Sequence, residues 1–313
     1  MSAIDKNIAE RLIKGDISIQ YQVHRDLLGS NDALISKLQK RIETEGWGAR
    51  FLNAQKENGH WGRGFYQPKW TSTHYTLLDL KNIGLPQGNP KTGKSIHMIL
   101  DDTIGKDGGV NYSKTLKESD VCITGMVLGF ASYFKAPDGK LISLIDYLLS
   151  AQMSDGGWNC EHIHGATHSS MHTTISVLEG FLEYGKSGGR YRAGEIENAE
   201  GRGIEFMLEH RLFQSHRTGR TMDKKMLMLS YPSRWRYDIL RGLDYFRSRG
   251  TGYDKRMNAA VEKLIKKQRT DKMWPLQMKH QGQVHFDMEV PGRPSLWNTL
   301  RALRILTYFK IDF

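Results

Sequence analysis

The stretch "QMSDGGW" (residues 152–158) occurs in two further versions, "QKENGHW" (55–61) and "QRTDKMW" (268–274). In each version a Gln and a Trp stand six positions apart. A fourth, degenerate copy is "GKDGGV" (105–110). Every copy lies between two segments with helical patterns, so we predict that one helical unit recurs along the chain.

The segment that follows each copy can be stacked on the others. The stacked segments start at Ser72, Cys122, His172, Arg234 and Pro294, which gives intervals of 50, 50, 62 and 60 residues. Regular intervals of this length indicate a repeat fold, in which each unit buries its apolar face against its neighbours.

The two kinds of helical segment differ in their apolar pattern. Residues 138–152 and 256–268 have apolar side chains at steps of three and four, which is typical of an outer helix, whereas residues 122–134 are apolar nearly all round. We therefore predict an all-α fold, a closed α/α toroid of about six helical pairs in two concentric layers. Residues 1–50 would supply the pair that closes the barrel, and residues 1–313 would form a single domain.

Composition limits the classes of partner. The net charge is +11, but the basic residues are spread along the chain, which favours a small anionic substrate over nucleic acid. Two cysteines among 313 residues suggest a reducing compartment, so we expect a cytoplasmic protein. The first 15 residues lack a signal-peptide pattern, and no apolar run reaches the roughly 18 residues of a transmembrane segment.

With its Gln–Trp repeat, Gly-Gly turns and helical pairs, the chain resembles the superfamily of squalene and terpenoid cyclases and protein prenyltransferase β-subunits. The resemblance extends over about residues 50–310. In the β-subunits an Asp-x-Cys at the start of an inner helix and a His at the start of the next inner helix bind zinc. The resemblance therefore implies a zinc site made of Asp120, Cys122 and His172.

The same resemblance implies an anion site. The family has basic residues six and three positions before the zinc-binding Asp, where they hold a diphosphate, and Lys114 and Lys117 occupy these positions here. Two departures weaken the match. Ile123 stands where the family usually has Tyr, and a lysine replaces the usual arginine at position 114, without its bidentate fork. The acidic "LDDT" (100–103) precedes a Gly-Gly turn, so we do not expect it to be the proton donor of the cyclase branch.

Helix geometry limits how Asp120 and Cys122 can share a metal. In mid-helix, two residues that lie two positions apart point about 200° away from each other. They can converge only where a helix begins, with Ser119 or Asp120 as the N-cap. The helix N-terminus would then lower the pKa of Cys122. Zinc with three protein ligands keeps a fourth position for a substrate.

Three further expectations concern the surroundings of this site. Arg234 holds the same place in its repeat as Cys122 and His172. We therefore predict that it is a third basic, substrate-binding group at the rim of the barrel, where the inner helices begin. Cys160 is expected in a loop away from the helix start, with His162, His164 and His168 as reserve ligands. A tunnel for an isoprenoid tail would be lined by aromatic side chains, with these candidates: Tyr75, Phe130, Trp235, Tyr237 and Trp297.

Three functional classes stay open from the sequence. The first is an enzyme that handles an isoprenoid diphosphate at a zinc site, by prenyl transfer or by cyclisation. The second is a carbohydrate-active α/α barrel, in which Asp120 would pair with Glu161 or Asp238. The third is a non-catalytic scaffold that binds a small anionic or apolar ligand. Protein prenyltransferases also need a helical partner subunit, which this chain does not contain.

Overall fold

The computed structural model describes residues 5–113 and 115–312. Short 3-10 helices apart, the described residues form thirteen α-helices and one two-stranded antiparallel ribbon. The helices are α1 Lys6–Ile13, α2 Ile17–Asp26, α3 Asp32–Arg41, α4 Gly46–Asn53, α5 Thr73–Ile83, α6 Pro90–Asp102, α7 Val121–Tyr133, α8 Ile142–Ser150, α9 Met171–Lys186, α10 Ala193–Glu209, α11 Ile239–Arg249, α12 Asn258–Ile265 and α13 Leu296–Tyr308, and the strands are β1 Trp274–Pro275 and β2 Pro294–Ser295.

Six helices form a closed inner ring. Helix α5 packs against α7, α7 against α9, α9 against α11, α11 against α13 and α13 against α2. Helix α4 contacts both α2 and α5, and the side-chain amide of Gln22 donates a hydrogen bond of 2.9 Å to the Asn82 carbonyl, which joins the two ends of the ring. The predicted all-α toroid is therefore confirmed.

The inner helices α7 and α9 run in the same direction. On α7, Gly125 faces Ser176 of α9, and four residues later Gly129 faces Gly180. A Cβ atom on Gly125 would lie 2.9 Å from the Ser176 carbonyl oxygen, so glycine is needed for this close approach. Because contacts advance in equal steps on the two helices, α7 and α9 are parallel and begin at the same rim of the barrel.

The second layer lies outside this ring. Helix α8 packs against α7 and α10, α10 against α9, α12 against α11, and α1 against both α2 and α13. Helix α8 buries only one face, whereas α7 is buried along nearly its whole length. This difference is the one that the apolar patterns predict, because an outer helix meets solvent on one side. The division into two concentric layers is confirmed.

The Gln–Trp motif fastens each turn to an outer helix. The indole N–H of each motif Trp donates to a carbonyl ten residues earlier, at 2.7–2.8 Å. The donor and acceptor pairs are Trp61 with Phe51, Trp158 with Leu148, and Trp274 with Leu264. All three indoles are fully buried, so each hydrogen bond satisfies a donor that water cannot reach.

The glutamines connect one repeat to the next. Gln55 donates to the Lys91 carbonyl of α6 at 2.9 Å, and Gln152 donates to the Ala199 carbonyl of α10 at 2.8 Å. The motif therefore holds both the preceding and the following outer helix, as expected for residues with a structural role in a repeat fold.

The predicted register fails at one inner helix. Helices α5, α7 and α9 begin within one residue of the predicted positions, but α11 begins at Ile239, five residues after Arg234. Asp238 is the N-cap, and its carboxylate accepts the Arg241 N–H at 2.8 Å. Arg234 has a φ of +53°, in the left-handed region, so no right-handed helix can begin there.

The buried apolar side chains form one continuous cluster across all repeats. The single-domain boundary at residues 1–313 stays a prediction. Among the described residues, every helix is too short or too polar to cross a lipid bilayer.

Candidate metal centre and its surroundings

Asp120 begins the inner helix α7. One of its carboxylate oxygens accepts the backbone N–H groups of Cys122 and Ile123, at 2.9 and 3.1 Å. This is the N-cap arrangement that the sequence predicts, since a short acidic side chain satisfies donors that have no partner in the helix. Ser119 is instead tied to Asp107, through its backbone N–H and its hydroxyl.

Cys160 lies at this helix start. Its thiol donates to the same Asp120 oxygen at 3.1 Å, and its sulfur accepts the Cys122 N–H at 3.3 Å. Its backbone N–H donates to the Thr173 hydroxyl of α9 at 3.3 Å, which holds the 3-10 helix Cys160–His164 against the ring. The expectation that Cys160 lies away from the helix start is wrong, because this contact depends on how the loop folds back over α7.

Asp120, Cys122 and Cys160 could hold a metal ion together. One ligand atom from each lies within 4.8 Å of the other two, and all three side chains are half-buried. Two sulfurs and one carboxylate form a donor set that zinc accepts, with one tetrahedral position left over. The residues at this helix start therefore fit the metal that the resemblance implies.

The pKa of Cys122 departs from the prediction. Hydrogen bonding to Cys160, burial and the nearby Asp120 carboxylate raise the pKa of the Cys122 thiol well above its ordinary value. A helix N-terminus alone would lower this pKa. Here the carboxylate that caps the helix also places a negative charge beside the sulfur, and the pKa is raised instead.

His172 is not a member of this group. It opens α9 as predicted, but its Nδ1 accepts the backbone N–H of Tyr237 at 2.8 Å, and its ring packs edge-on against Trp235. Because Nδ1 accepts this hydrogen bond, the neutral ring carries its proton on Nε2 and offers no second lone pair to a metal. Burial and the nearby Arg241 and Arg236 cations lower the pKa of His172 to about 4. Cys160 therefore takes the place of His172 as the third member of the candidate ligand set.

The other predicted reserve ligands lie outside the cluster as well. His164 and His168 are exposed, and His162 uses Nδ1 to donate to the Asn159 carbonyl at 3.0 Å. Among the described residues, one group of side chains could bind a metal ion, and it consists of Asp120, Cys122 and Cys160. We call these three residues the metal-type cluster.

Lys69 lies beside the metal-type cluster, among aromatic rings. Its ammonium group lies 5.6 Å from the centre of the Tyr66 ring, 5.1 Å from that of Trp70 and 5.5 Å from that of Trp235. Burial lowers the pKa of Lys69, while interactions with Cys122 and Asp120 partly oppose this effect. Lys69 therefore links an aromatic surface to the metal-type cluster.

The sequence does contain a signal for Lys69. It stands three positions before the N-cap Ser72, as Lys117 stands three positions before the N-cap Asp120. The Gln–Trp pattern does not single it out, because only the folded ring brings the start of α5 next to the start of α7.

Two further cations lie near this rim. Lys117 is exposed, as a rim lysine should be. Arg236 stacks on the Trp235 ring at 5.3 Å and acts electrostatically on both Lys69 and His172. Lys114, the other predicted diphosphate ligand, lies outside the described residues.

Arg234 is buried rather than placed at a helix start. Only 5% of it is exposed; its Nε lies 3.8 Å from the Asp79 carboxylate, and its guanidinium stacks on Trp70 at 4.6 Å. The predicted place at a helix start is therefore wrong, whereas the predicted role of Arg234 as a basic substrate-binding group stays a prediction. The error arises from counting repeats through the longer segment between α10 and α11.

The interior of the barrel also differs from the predicted tunnel. A cavity of about 400 Å³ is lined mainly by charged side chains, among them Arg241, Arg301, Arg304, Glu179 and Asp244. Four of the five aromatic candidates lie elsewhere: Tyr75, Phe130 and Tyr237 are core residues, Trp235 lies at the rim, and only Trp297 lines this cavity. The expectation of an apolar tunnel is wrong for this cavity, because the inner helices turn their charged positions toward it.

The carboxylates proposed for a carbohydrate-active site are used for capping. Asp238 is 1% exposed and accepts hydrogen bonds from Arg241, from the Ser230 N–H and from the Ser230 hydroxyl. Asp120 caps α7 and contacts Cys160, while Glu161 is exposed. Asp120 and Asp238 are therefore already engaged in capping, which disfavours the paired catalytic role that glycoside hydrolysis requires.

No family model and no curated protein matches the chain. Among solved structures it is similar to a protein from Actinoplanes, at 16% identity over 95% of this chain and 90% of that one, with a TM-score of 0.47. It is similar to a variant of the type II terpene cyclase MstE from Scytonema in complex with geranylgeranyl dihydroxybenzoate, at 14% identity over 94% and 88%, with a TM-score of 0.42.

A second MstE variant, in complex with the product merosterolic acid A, is 13% identical over 83% of this chain and 94% of that one, with a TM-score of 0.33. The helix contacts of the chain itself establish its architecture.

Proposed function

We propose that the protein is a zinc-dependent enzyme, similar to prenyltransferases and terpenoid cyclases, that handles an isoprenoid diphosphate at the rim of its barrel. The observation that carries the proposal is the convergence of Asp120, Cys122 and Cys160 at the start of α7. Their donor atoms are those that zinc prefers, and three ligands leave one position for a substrate. There, zinc would act as a Lewis acid or activate a substrate thiol.

The chain's own residues would bind the diphosphate beside this cluster. Lys69 and Arg236 both lie against the Trp235 ring, and the exposed Lys117 precedes the Asp120 cap by three residues. The parallel inner helices place their N-termini at the same rim, where backbone N–H groups and the helix dipoles favour an anion.

An isoprenoid tail would lie along the aromatic surface that surrounds Lys69. Tyr66, Trp70 and Trp235 contribute ring faces there, and Tyr112 stacks against the same group. Aromatic faces bury hydrocarbon and can stabilise a developing carbocation. The charged cavity of the barrel offers no such environment, so the tail is assigned to the rim.

A binding experiment separates this proposal from the scaffold and carbohydrate alternatives. Titration calorimetry would compare farnesyl diphosphate with farnesol on the wild type, on Lys69→Met and on the exposed control Lys56→Met. Methionine keeps the stem of Lys69 and removes its charge. A charged hydrogen bond contributes about 1.5–3 kcal/mol, so Lys69→Met should weaken binding of the diphosphate at least about tenfold.

Farnesol binding should change little in either variant, and Lys56→Met should resemble the wild type with both ligands. A wild type with no affinity for prenyl diphosphates would contradict the proposal and favour the scaffold or carbohydrate class. Unchanged diphosphate affinity in Lys69→Met would exclude this lysine as the anion ligand.

A further inference from the structure

The cavity inside the barrel carries an excess of positive charge. Its lining includes Lys81 and Lys186 at the C-terminal ends of α5 and α9 and Arg241 in the first turn of α11, but not Asp120, Cys122 or Cys160. Its lining has eight Lys or Arg side chains and four Asp or Glu side chains. The cations are Arg25, Lys81, Lys186, Arg234, Arg241, Arg247, Arg301 and Arg304, and the carboxylates are Asp26, Glu179, Glu183 and Asp244.

The few carboxylates are shared among several cations. Asp244 pairs with Arg304, lies 2.8 Å from Arg247 and lies 3.7 Å from Arg301. Glu179 is bound by Arg241 at 2.7 Å. Since one carboxylate serves three guanidinium groups, the lining keeps hydrogen-bond donors that no protein acceptor uses.

Arg301 shows this surplus directly. Its residue exposure is 5%, and its Nη1 atom is buried with no hydrogen-bond partner among the described residues. The Nε atom of Arg234, which also lines the cavity, is in the same condition. Buried cations normally have all their donors paired, because an unpaired donor is destabilising. Two such donors on residues that line one cavity show that the lining has more donors than acceptors.

The mouth of the cavity is basic as well. Arg25 and Lys186 are exposed at the C-terminal ends of α2 and α9, and Lys81 is half-buried at the end of α5. Positive groups thus run from the surface to the buried floor, a distribution that draws anions inward.

We propose that this cavity binds a small phosphorylated molecule whose phosphate oxygens accept hydrogen bonds from Arg301 and from its neighbours Arg234 and Lys81. The planar forks of several arginines match phosphate oxygens in pairs. A volume of about 400 Å³ lies within the usual range for small-molecule sites. The lining shares no residue with the diphosphate site assigned to the rim, and the proposed site does not depend on the metal.

The test uses inorganic pyrophosphate as the probe and the full chain as purified. Titration calorimetry would compare the wild type with Arg301→Met, Lys81→Met and the exposed control Arg217→Met. In Arg301→Met, Asp244 keeps Arg304 and Arg247 as partners, so the fold should persist; Lys81→Met tests the same cavity from its half-buried mouth. Thermal unfolding would be recorded for each variant.

We expect Arg301→Met and Lys81→Met each to weaken pyrophosphate binding at least tenfold, with Arg217→Met unchanged. Because the rim would also bind a diphosphate through Lys69, the same comparison is repeated in the Lys69→Met background with a chelator present, where binding in the cavity should persist. If binding is lost with chelator or in Lys69→Met but kept in Arg301→Met, the anion lies at the rim and the inference is overturned. Absence of binding to the wild type, or tighter binding of citrate than of pyrophosphate, would also overturn it.

Discussion

The rim of the barrel and the cavity inside it use opposite chemistry on the same helices. At the rim, two thiols, a carboxylate and aromatic rings surround a single lysine. Inside, arginines and carboxylates form a shared network with few apolar groups. The rim residues lie at the start of α7 and in the segments that precede α5 and α11, whereas the cavity is lined by turns of α5, α9, α11 and α13.

The two regions differ in the groups that balance charge at each place in the ring. At the helix starts, unpaired N–H groups are satisfied by Asp120 and Asp238, and the cap of α7 is shared with a thiol. Deeper in the ring no free backbone donors exist, so side-chain ions must satisfy each other. The rim can therefore present ligand atoms, whereas the cavity is held together by its charges.

The largest effect should come from the thiols at the rim. Cys160→Ser should lose most of the bound zinc, because the cluster then keeps only one sulfur. His172→Ala should keep a full equivalent of zinc and lose only about 1–3 kcal/mol of stability, as the Tyr237 N–H loses its acceptor. Elemental analysis and thermal unfolding measure both effects. Zinc retained in Cys160→Ser but lost in His172→Ala would restore the ligand set predicted from the sequence.

A second change tests whether the cavity is a structural network. Arg304 pairs with Asp244, with Asp26 at 3.0 Å and with Gln22 at 2.8 Å, which connects α13 to both α11 and α2. Arg304→Met leaves buried carboxylates short of a partner, so the free energy of unfolding should fall by about 3–5 kcal/mol. The zinc content should not change.

Arg256→Met is the matched control for this network. Arg256 pairs with Glu205 and Asp254 at the surface, and exposed pairs contribute at most about 1 kcal/mol. Urea unfolding would compare the two variants. Equal losses in both would show that the interior ion pairs contribute no more than surface ones.

The smallest expected effect is a pH dependence at the boundary between the two regions. Asp79 is buried beside Arg234, and burial raises the pKa of its carboxyl from 3.8 to about 6, although Arg234 partly opposes the shift. Because the folded state binds this proton more tightly than the unfolded chain, the free energy of unfolding should fall as the pH rises from about 4 to 6.

Asp79→Asn removes this titration. Between pH 4 and 7, the stability of the variant relative to the wild type should rise by about 1–3 kcal/mol, since one pKa unit corresponds to about 1.4 kcal/mol. The exposed Asp138→Asn should show no comparable rise. Chemical denaturation at a series of pH values would measure the difference, and a flat profile for Asp79→Asn relative to the wild type would contradict the raised pKa.

Much of the fold could be predicted from the sequence, because its signals are local. The Gln-to-Trp spacing marks each turn, since both side chains bond to backbone groups near them in sequence or in the next repeat. Asp120 could be predicted as a cap because capping involves only the next three residues. The apolar patterns distinguished α7 from α8 for the same reason.

The tertiary structure alone decided which distant residues meet. Cys160 reaches Asp120 across 40 positions because its loop folds back over α7, and Lys69 reaches the same rim from another repeat. Arg234 became a buried partner of Asp79 because the segment before α11 is longer than a repeat count allows. Side-chain direction inside a closed ring depends on the rotation of every helix against its neighbours. Spacing along the chain does not encode that rotation, so the charged cavity emerged only with the fold.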